Sequence, residues 1–270
     1  MASNFIKLER QSAFRRMAAA MWIRPNDSQI YGNAEIDMTV PLAFLKKYEG
    51  NEAKPTVTHL MARALAVSIA KHPDINARVR FWGKLERRKT VDLFIQVTSD
   101  DGRDLSGHRI TAADAVPLTD LASDLKQASQ RIRKNEDPKF KKSKGMMSSL
   151  PWWILRPFLA LASLFTNELN IDMSGSGMPR DPFGSAMVTS LGMFGVDEAY
   201  APLTPIARCM MILLVPAVRE RPVVENGQVV IKPMLKLCAT FDHRVVDGVH
   251  AAKLCTTLRE VLADPDKHLG

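Results

Sequence analysis

The chain has 270 residues, of which 46% are hydrophobic and 24% charged, and it carries a formal net charge of +8. That composition excludes a disordered or fibrous chain and fits a globular protein with room for one large domain or two small ones. The positive balance suits an anionic partner, a phosphorylated small molecule or an anionic membrane surface, or simply solubility. No Arg-rich tail, zinc-finger spacing or aromatic–basic interleaving points to nucleic acid. Cys209, Cys238 and Cys255 are odd in number, far apart and set in apolar runs, so they read as buried free thiols of a reducing compartment. The N-terminus has charges where a signal peptide needs an apolar run, and the expected location is cytoplasmic.

In chain order, residues 10–22 have helical spacing, with Phe14, Met17 and Met21 on one side and Arg15 and Arg16 beside them. "AEIDMTVPLAFLKKYE" alternates and then turns helical, so a strand leads into a helix. Residues 56–71 form an amphipathic helix closed by His72-Pro73. Residues 91–98 read as a strand, Asp101-Gly102 as a turn, and 117–134 as a helix with a polar outer face. The stretch 137–182 differs in character: a basic run, then "SSLPWWILRPFLALASLFT", then a segment rich in Ser, Gly and Pro. From 186 the pattern is β, with "AMVTSL", "ARCMMILLVPAV" and "PVVENGQVVI". Asn226-Gly227 between alternating apolar residues is a hairpin signal. Leu235, Leu237, Ala239 and Phe241 share a strand face, and an amphipathic helix follows Gly248. No internal repeat or linker appears, so residues 1–270 read as a single α+β domain.

The strand ending at His243, with Asp247-Gly248 after it, is the segment with chemistry in it. A histidine at the end of a buried strand is held by a rigid element and can act as a general base near neutral pH. Asp247 is placed to pair with an arginine and hold the turn. Gly248 permits a positive φ or the approach of a ligand. The plain alternative is a packed histidine and a turn Asp-Gly. His243, Asp247 and His250 also make an incomplete metal set, with no fourth ligand in the sequence.

"TFDHRVVDG" resembles the signature of the dihydrolipoyl acyltransferase component of 2-oxoacid dehydrogenase complexes, whose catalytic domain has the chloramphenicol acetyltransferase fold. Asp242 before the histidine is the mark of the dehydrogenase branch. "VTSLGMFGV", "VRERPVVENGQVVIKPMLKL", "LAVSIAKHPDINARV" and "RQSAFRRMAAAM" resemble further family segments in the same order. The resemblance covers the chain except 137–182. It implies a two-layer mixed sheet with helices on one face, a trimer, and acyl transfer between coenzyme A, as acyl-CoA, and a thiol of dihydrolipoyl type. It makes His243 the base, Thr189 the oxyanion hydroxyl with neighbouring Ser190 as second choice, and Asp247 the partner of Arg16, or else of Arg15. Ser190 and Gly248 are expected beside the coenzyme.

The sequence departs from the family in three places. No lipoyl or subunit-binding domain is read in it, and no lipoyl group is expected on this chain, so the acceptor stays open between a lipoyl thiol elsewhere and another small acceptor. Residues 150–165 are too short for a membrane span of about 20 residues. Trp152 and Trp153, behind Lys139, Lys141, Lys142 and Lys144, leave three readings: core packing, a lid, or a helix lying on an anionic membrane. His108, in "DLSGHRI" where the family tends to be apolar, reads as a loop histidine, the alternative being an extra polar group beside the acceptor. The rival classes are a catalytically silent trimeric scaffold and a membrane-docking relative.

Overall fold

The computed structural model describes residues 28–80, 83–98, 105–134, 150–172 and 179–269. The expected N-terminal helix, with Arg15 and Arg16, and the Asp101-Gly102 turn lie outside them.

A mixed sheet organises the fold. Its strands are β1 (Gln29–Asp37), β4 (Leu93–Thr98), β5 (Leu105–Ile110), β6 (Ala186–Ser190), β7 (Met211–Val215), β8 (Arg219–Glu225) and β9 (Gln228–Asp242). The spatial order is β1-β9-β7-β6-β4-β5, with β8 paired to the first half of β9. The pairs β4/β6 and β6/β7 are parallel and the others antiparallel. β2 (Ala77–Val79) and β3 (Leu85–Arg87) form a separate ribbon.

Alternation assigns the two faces of the sheet. Leu93 and Ile95 of β4, Ala186 and Val188 of β6, Met211 and Leu213 of β7, and Leu235, Leu237, Ala239 and Phe241 of β9 are buried in one large core. Four helices supply much of the rest of that core: α1 (Thr39–Lys46), α2 (Val57–Lys71), α3 (Leu118–Arg133) and α5 (Gly248–Ala263). Met187 and Ile212, of opposite parity, belong instead to a small cluster with Leu203, Ala207 and Cys209 on the other face. The fold is therefore a two-layer α+β arrangement with these four helices on one side. α4 (Trp152–Ser163) and α6 (Pro265–Leu269) complete the described helices.

Local chemistry sets the boundaries. Thr56 opens α2 with a capping box in which His59 Nδ1 accepts the Thr56 backbone N–H at 2.9 Å. Asn226 and Gly227 both have positive φ, 50° and 80°, as the tight turn between β8 and β9 requires. Gly184 at φ 66° is compelled by contact as well, since a Cβ there would lie 2.6 Å from the carbonyl oxygen of Asp92.

Candidate active site

β9 runs 15 residues, buried along its second half, and stops at Asp242. His243 is the first residue of the turn that follows, and its side chain is exposed. Its backbone N–H donates to Ser28 O at 2.7 Å. Its ring Nδ1 lies 3.0 Å from the carbonyl oxygen of Val246. A carbonyl can only accept, so Nδ1 carries the proton and Nε2 of the neutral ring keeps its lone pair. That is the form a general base needs.

The residues flanking His243 are fastened to each other. Asp242, only 6% exposed, takes Arg244 Nε at 2.8 Å and Nη2 at 2.6 Å, and accepts the Arg244 backbone N–H at 3.1 Å. This staple across the base is absent from the sequence reading. An acid and an arginine two positions apart gave the only signal for it.

Asp247 is the N-cap of α5. Its Oδ1 accepts the His250 backbone N–H at 2.9 Å, and His250 Nδ1 is 2.9 Å from the same oxygen. The donated His250 N–H holds the carboxyl below the usual carboxylate range. Asp247 thus holds the turn, as expected, but among the described residues its partner is His250; the expected Arg16 lies outside them. Of the two expectations for Gly248, the positive φ is not met. The residue is not among those with positive φ, and a Cβ there would meet nothing within 4 Å. It opens α5 with free space in front of it, bordering a groove with His72, Val249, Lys253 and Thr256.

Thr189 lies in β6 and is buried. It shares parity with Met187, so it faces away from the helices, whereas Ser190 shares parity with Val188 and the helical side. Thr189 is level with Leu214 of β7, and Leu214 is level with Cys238 of β9. His243 lies five residues beyond Cys238. With about 3.4 Å per residue and two strand spacings of about 4.8 Å, the Cα atoms of Thr189 and His243 are roughly 20 Å apart within one chain.

His108 is a second correction. It belongs to β5, opposite Ile95, and its Nε2 is 2.9 Å from Asp124 of α3. Cys255 is a third, being half-buried where Cys209 and Cys238 are buried; all three are free. Among the described residues no helix is long and apolar enough to cross a membrane.

The model of the 2-oxoacid dehydrogenases acyltransferase catalytic domain matches residues 6–142 and 181–269. The chain belongs to this family. A probable dihydrolipoyllysine-residue succinyltransferase component of the 2-oxoglutarate dehydrogenase complex of Schizosaccharomyces pombe is 26% identical over 99% of this chain and 52% of its own length. The chain thus spans about half the length of the curated relatives it matches. A solved structure of the Azotobacter vinelandii dihydrolipoamide acetyltransferase, studied for the catalytic role of a serine, a histidine and an asparagine, superposes with a TM-score of 0.73. It covers 98% of this chain and 95% of that one at 22% identity. The cubic core of the pyruvate dehydrogenase multienzyme complex gives a TM-score of 0.72 at 21% identity, with 98% and 95% covered. The fold of this catalytic-domain family is therefore the fold of this chain.

Proposed function

We infer that the protein is a coenzyme-A-dependent acyltransferase that works as a trimer or a multiple of trimers. The observation that carries this reading is the presentation of His243: an exposed ring at the end of a buried strand, its Nδ1–H given to Val246 O, which leaves the Nε2 lone pair available to accept a proton. Nε2 takes the proton from the thiol of a dihydrolipoyl-type acceptor. The thiolate sulfur attacks the thioester carbonyl carbon of acyl-CoA. The carbonyl π electrons move to oxygen, and a hydroxyl donates to that oxyanion, an interaction worth about 2.7–4 kcal/mol in comparable sites. Collapse of the tetrahedral intermediate breaks the carbon–sulfur bond to coenzyme A, whose sulfur recovers the proton from Nε2.

Thr189 is the proposed hydroxyl. A separation of roughly 20 Å forbids it from serving His243 of its own chain, so the site forms where the Thr189 face of one copy meets the His243 turn of the next. Thr189 is preferred to Ser190 because alternation turns Ser190 toward the helices. Gly248, at the mouth of α5 with open space before it, is the proposed point of close approach for the coenzyme. Asp247 holds the turn, with Arg16 as its proposed further partner.

The test is transfer from acetyl-, succinyl- and branched acyl-CoA to dihydrolipoamide, with the product read by mass spectrometry. Transfer that His243→Ala slows by about two orders of magnitude or more supports the reading. No transfer from any donor removes the lipoyl-type acceptor. Absence of a coenzyme A effect on the melting temperature removes the acyltransferase.

A further inference from the structure

The stretch that the family model leaves unmatched, 143–180, reaches back toward the His243 turn. α4 runs on into a π-turn, Leu164–Glu168, whose last three residues, Thr166, Asn167 and Glu168, are buried. A π-turn adds a residue to the helical register and re-aims the side chains around it. Here it brings an amide and a carboxylate to the loop that leads into β7. Asn167 Nδ2 donates to Ile206 O at 3.0 Å. The Glu168 carboxylate, 4% exposed, is paired with Arg208 of that loop and with Arg80, whose Nε lies at 3.3 Å.

Arg208 holds a strained backbone. Its φ is 51°, in the left-handed region that is costly for a residue with a Cβ and persists only where the surroundings over-determine it. Its ties supply that constraint. Nη1 is paired with Glu168 and donates to Val79 O at 2.9 Å, and the Arg208 carbonyl accepts Arg88 Nη2 at 3.1 Å. A buried carboxylate facing two arginines is costly to separate from them, so Glu168 keeps the Arg208 side chain inward.

Two residues on, the same loop grips the end of β9. Met210 O accepts the Asp242 backbone N–H at 2.8 Å. The Leu203 N–H donates to Gln29 Oε1 at 3.0 Å, and Gln29 is level with Asp242. Loop and turn enclose a cavity of about 40 Å³ lined by Ser28, Gln29, Arg208, Asp242 and Arg244. That is far below the size of a ligand pocket, so its walls serve as support. Ser28 is the residue whose carbonyl takes the His243 N–H.

We propose that Glu168 is a positioning residue for His243: through Arg208 it holds residues 203–210 against the end of β9 and so fixes the turn that presents the base. The path is one ion pair, a step along the chain from Arg208 to Met210 and one backbone hydrogen bond, each a directed contact. That His243 acts as a base rests on the acyl-transfer reading; that Glu168 braces its turn does not.

The experiment is hydrogen exchange read by mass spectrometry on the full chain and on Glu168→Gln, followed by acyl-transfer kinetics. Glutamine keeps the size of the side chain and removes its charge. Exchange is expected to rise roughly ten-fold or more in peptides spanning 203–210 and 240–246 and to stay unchanged in α2. The kcat for transfer from acyl-CoA is expected to fall about ten-fold or more, with KM for acyl-CoA within about two-fold of wild type and assembly mass unchanged, because a misplaced base costs the transition state and leaves ground-state binding alone. Asn167→Ala keeps every charge and cuts the tie to Ile206. It is the second variant if Glu168→Gln does not fold, and it is expected to move the same two peptides. Unchanged exchange at 240–246 overturns the brace, and so does an equal rise in α2, which marks general loss of stability. Raised exchange with an unchanged kcat, or a smaller assembly mass, overturns the positioning role. If the wild type transfers no acyl group, the functional reading fails by itself and the exchange result alone decides the brace.

Discussion

His243 Nδ1 donates to the carbonyl oxygen of Val246, three residues ahead, at 3.0 Å. A backbone acceptor cannot be removed by substitution, so the neutral ring is held as the Nδ1–H tautomer whatever side chains surround it. Nitrogen-15 NMR of the neutral protein is expected to show a protonated Nδ1 and a bare Nε2 at this residue. The opposite tautomer would leave the base without its lone pair at the exposed position and would end the general-base assignment.

Thr189 and His243 of one chain stand roughly 20 Å apart, so the proposed pairing of this hydroxyl with this base requires two copies of the chain. Thr189→Ala and His243→Ala are each expected to be nearly inactive alone. Co-expressed, they form mixed assemblies in which some interfaces join an intact threonine to an intact histidine. With random mixing about a quarter of the sites are whole, and activity returns to that order. No recovery in verified mixed assemblies would mean that another hydroxyl, or none, serves the base.

Much of this was readable from the chain itself, because its signals are local. Period-two and period-3.6 patterns placed α2, α3, the β8–β9 hairpin and α5 within a few residues of where they lie, but marked only the last residues of β1, from Ala34 on. Asn226-Gly227 fixed its turn through two positive φ angles. What escaped was settled by distance. Arg88 and Asp181 are 93 positions apart yet form two hydrogen bonds, and no local pattern announces such a pair. His108 was misread for the same reason, since "SGHRI" lacks apolar alternation and becomes a strand only through pairing with β4. Of the two readings of Gly248, only the positive φ fails, because a glycine after a turn acid suits a left-handed turn and a helix start equally well.

Arg244 is expected to matter to stability as well as to presentation of the base. Removing it by Arg244→Ala leaves the Asp242 carboxylate, 6% exposed, with a backbone N–H in place of a two-pronged guanidinium. Much of Arg244 faces solvent, so a cost of roughly 1–3 kcal/mol is appropriate rather than that of a fully buried pair. Arg244→Lys recovers only part of it, because an ammonium cannot reproduce the planar fork. Chemical denaturation of the two single variants and Asp242→Asn/Arg244→Ala measures the coupling; strict additivity would show that the staple contributes nothing.

Asp181 gives the protein an acid limit. Burial alone would raise its carboxyl, but the paired Arg88, with the charges of Arg78 and Arg109, lowers it below the ordinary value. A folded pKa below the unfolded value of about 3.9 stabilises the native state above that pH. The contribution is lost as pH falls through the folded value. Asp181→Asn keeps a side chain that tolerates the φ of 44° at this position. It is expected to destabilise by roughly 3 kcal/mol at neutral pH, with the gap to wild type closing below about pH 4. A gap that stays constant with pH would exclude the ion pair as its source.

The three thiols are expected to react in an order set by burial. Cys209 is fully enclosed in the small cluster beside Leu203 and Ile212, and burial pushes its thiol up to about 12. Cys238 is buried as well, and burial again raises it. Cys255 sits half-buried on α5. Because the thiolate is the nucleophile, iodoacetamide at mildly alkaline pH should label Cys255 first. Cys209 should follow only when the fold opens, so its labelling rate should track unfolding by denaturant. Peptide mapping by mass spectrometry reads the order directly, and early labelling of Cys209 would mean that the cluster on the open face of the sheet is not closed in solution.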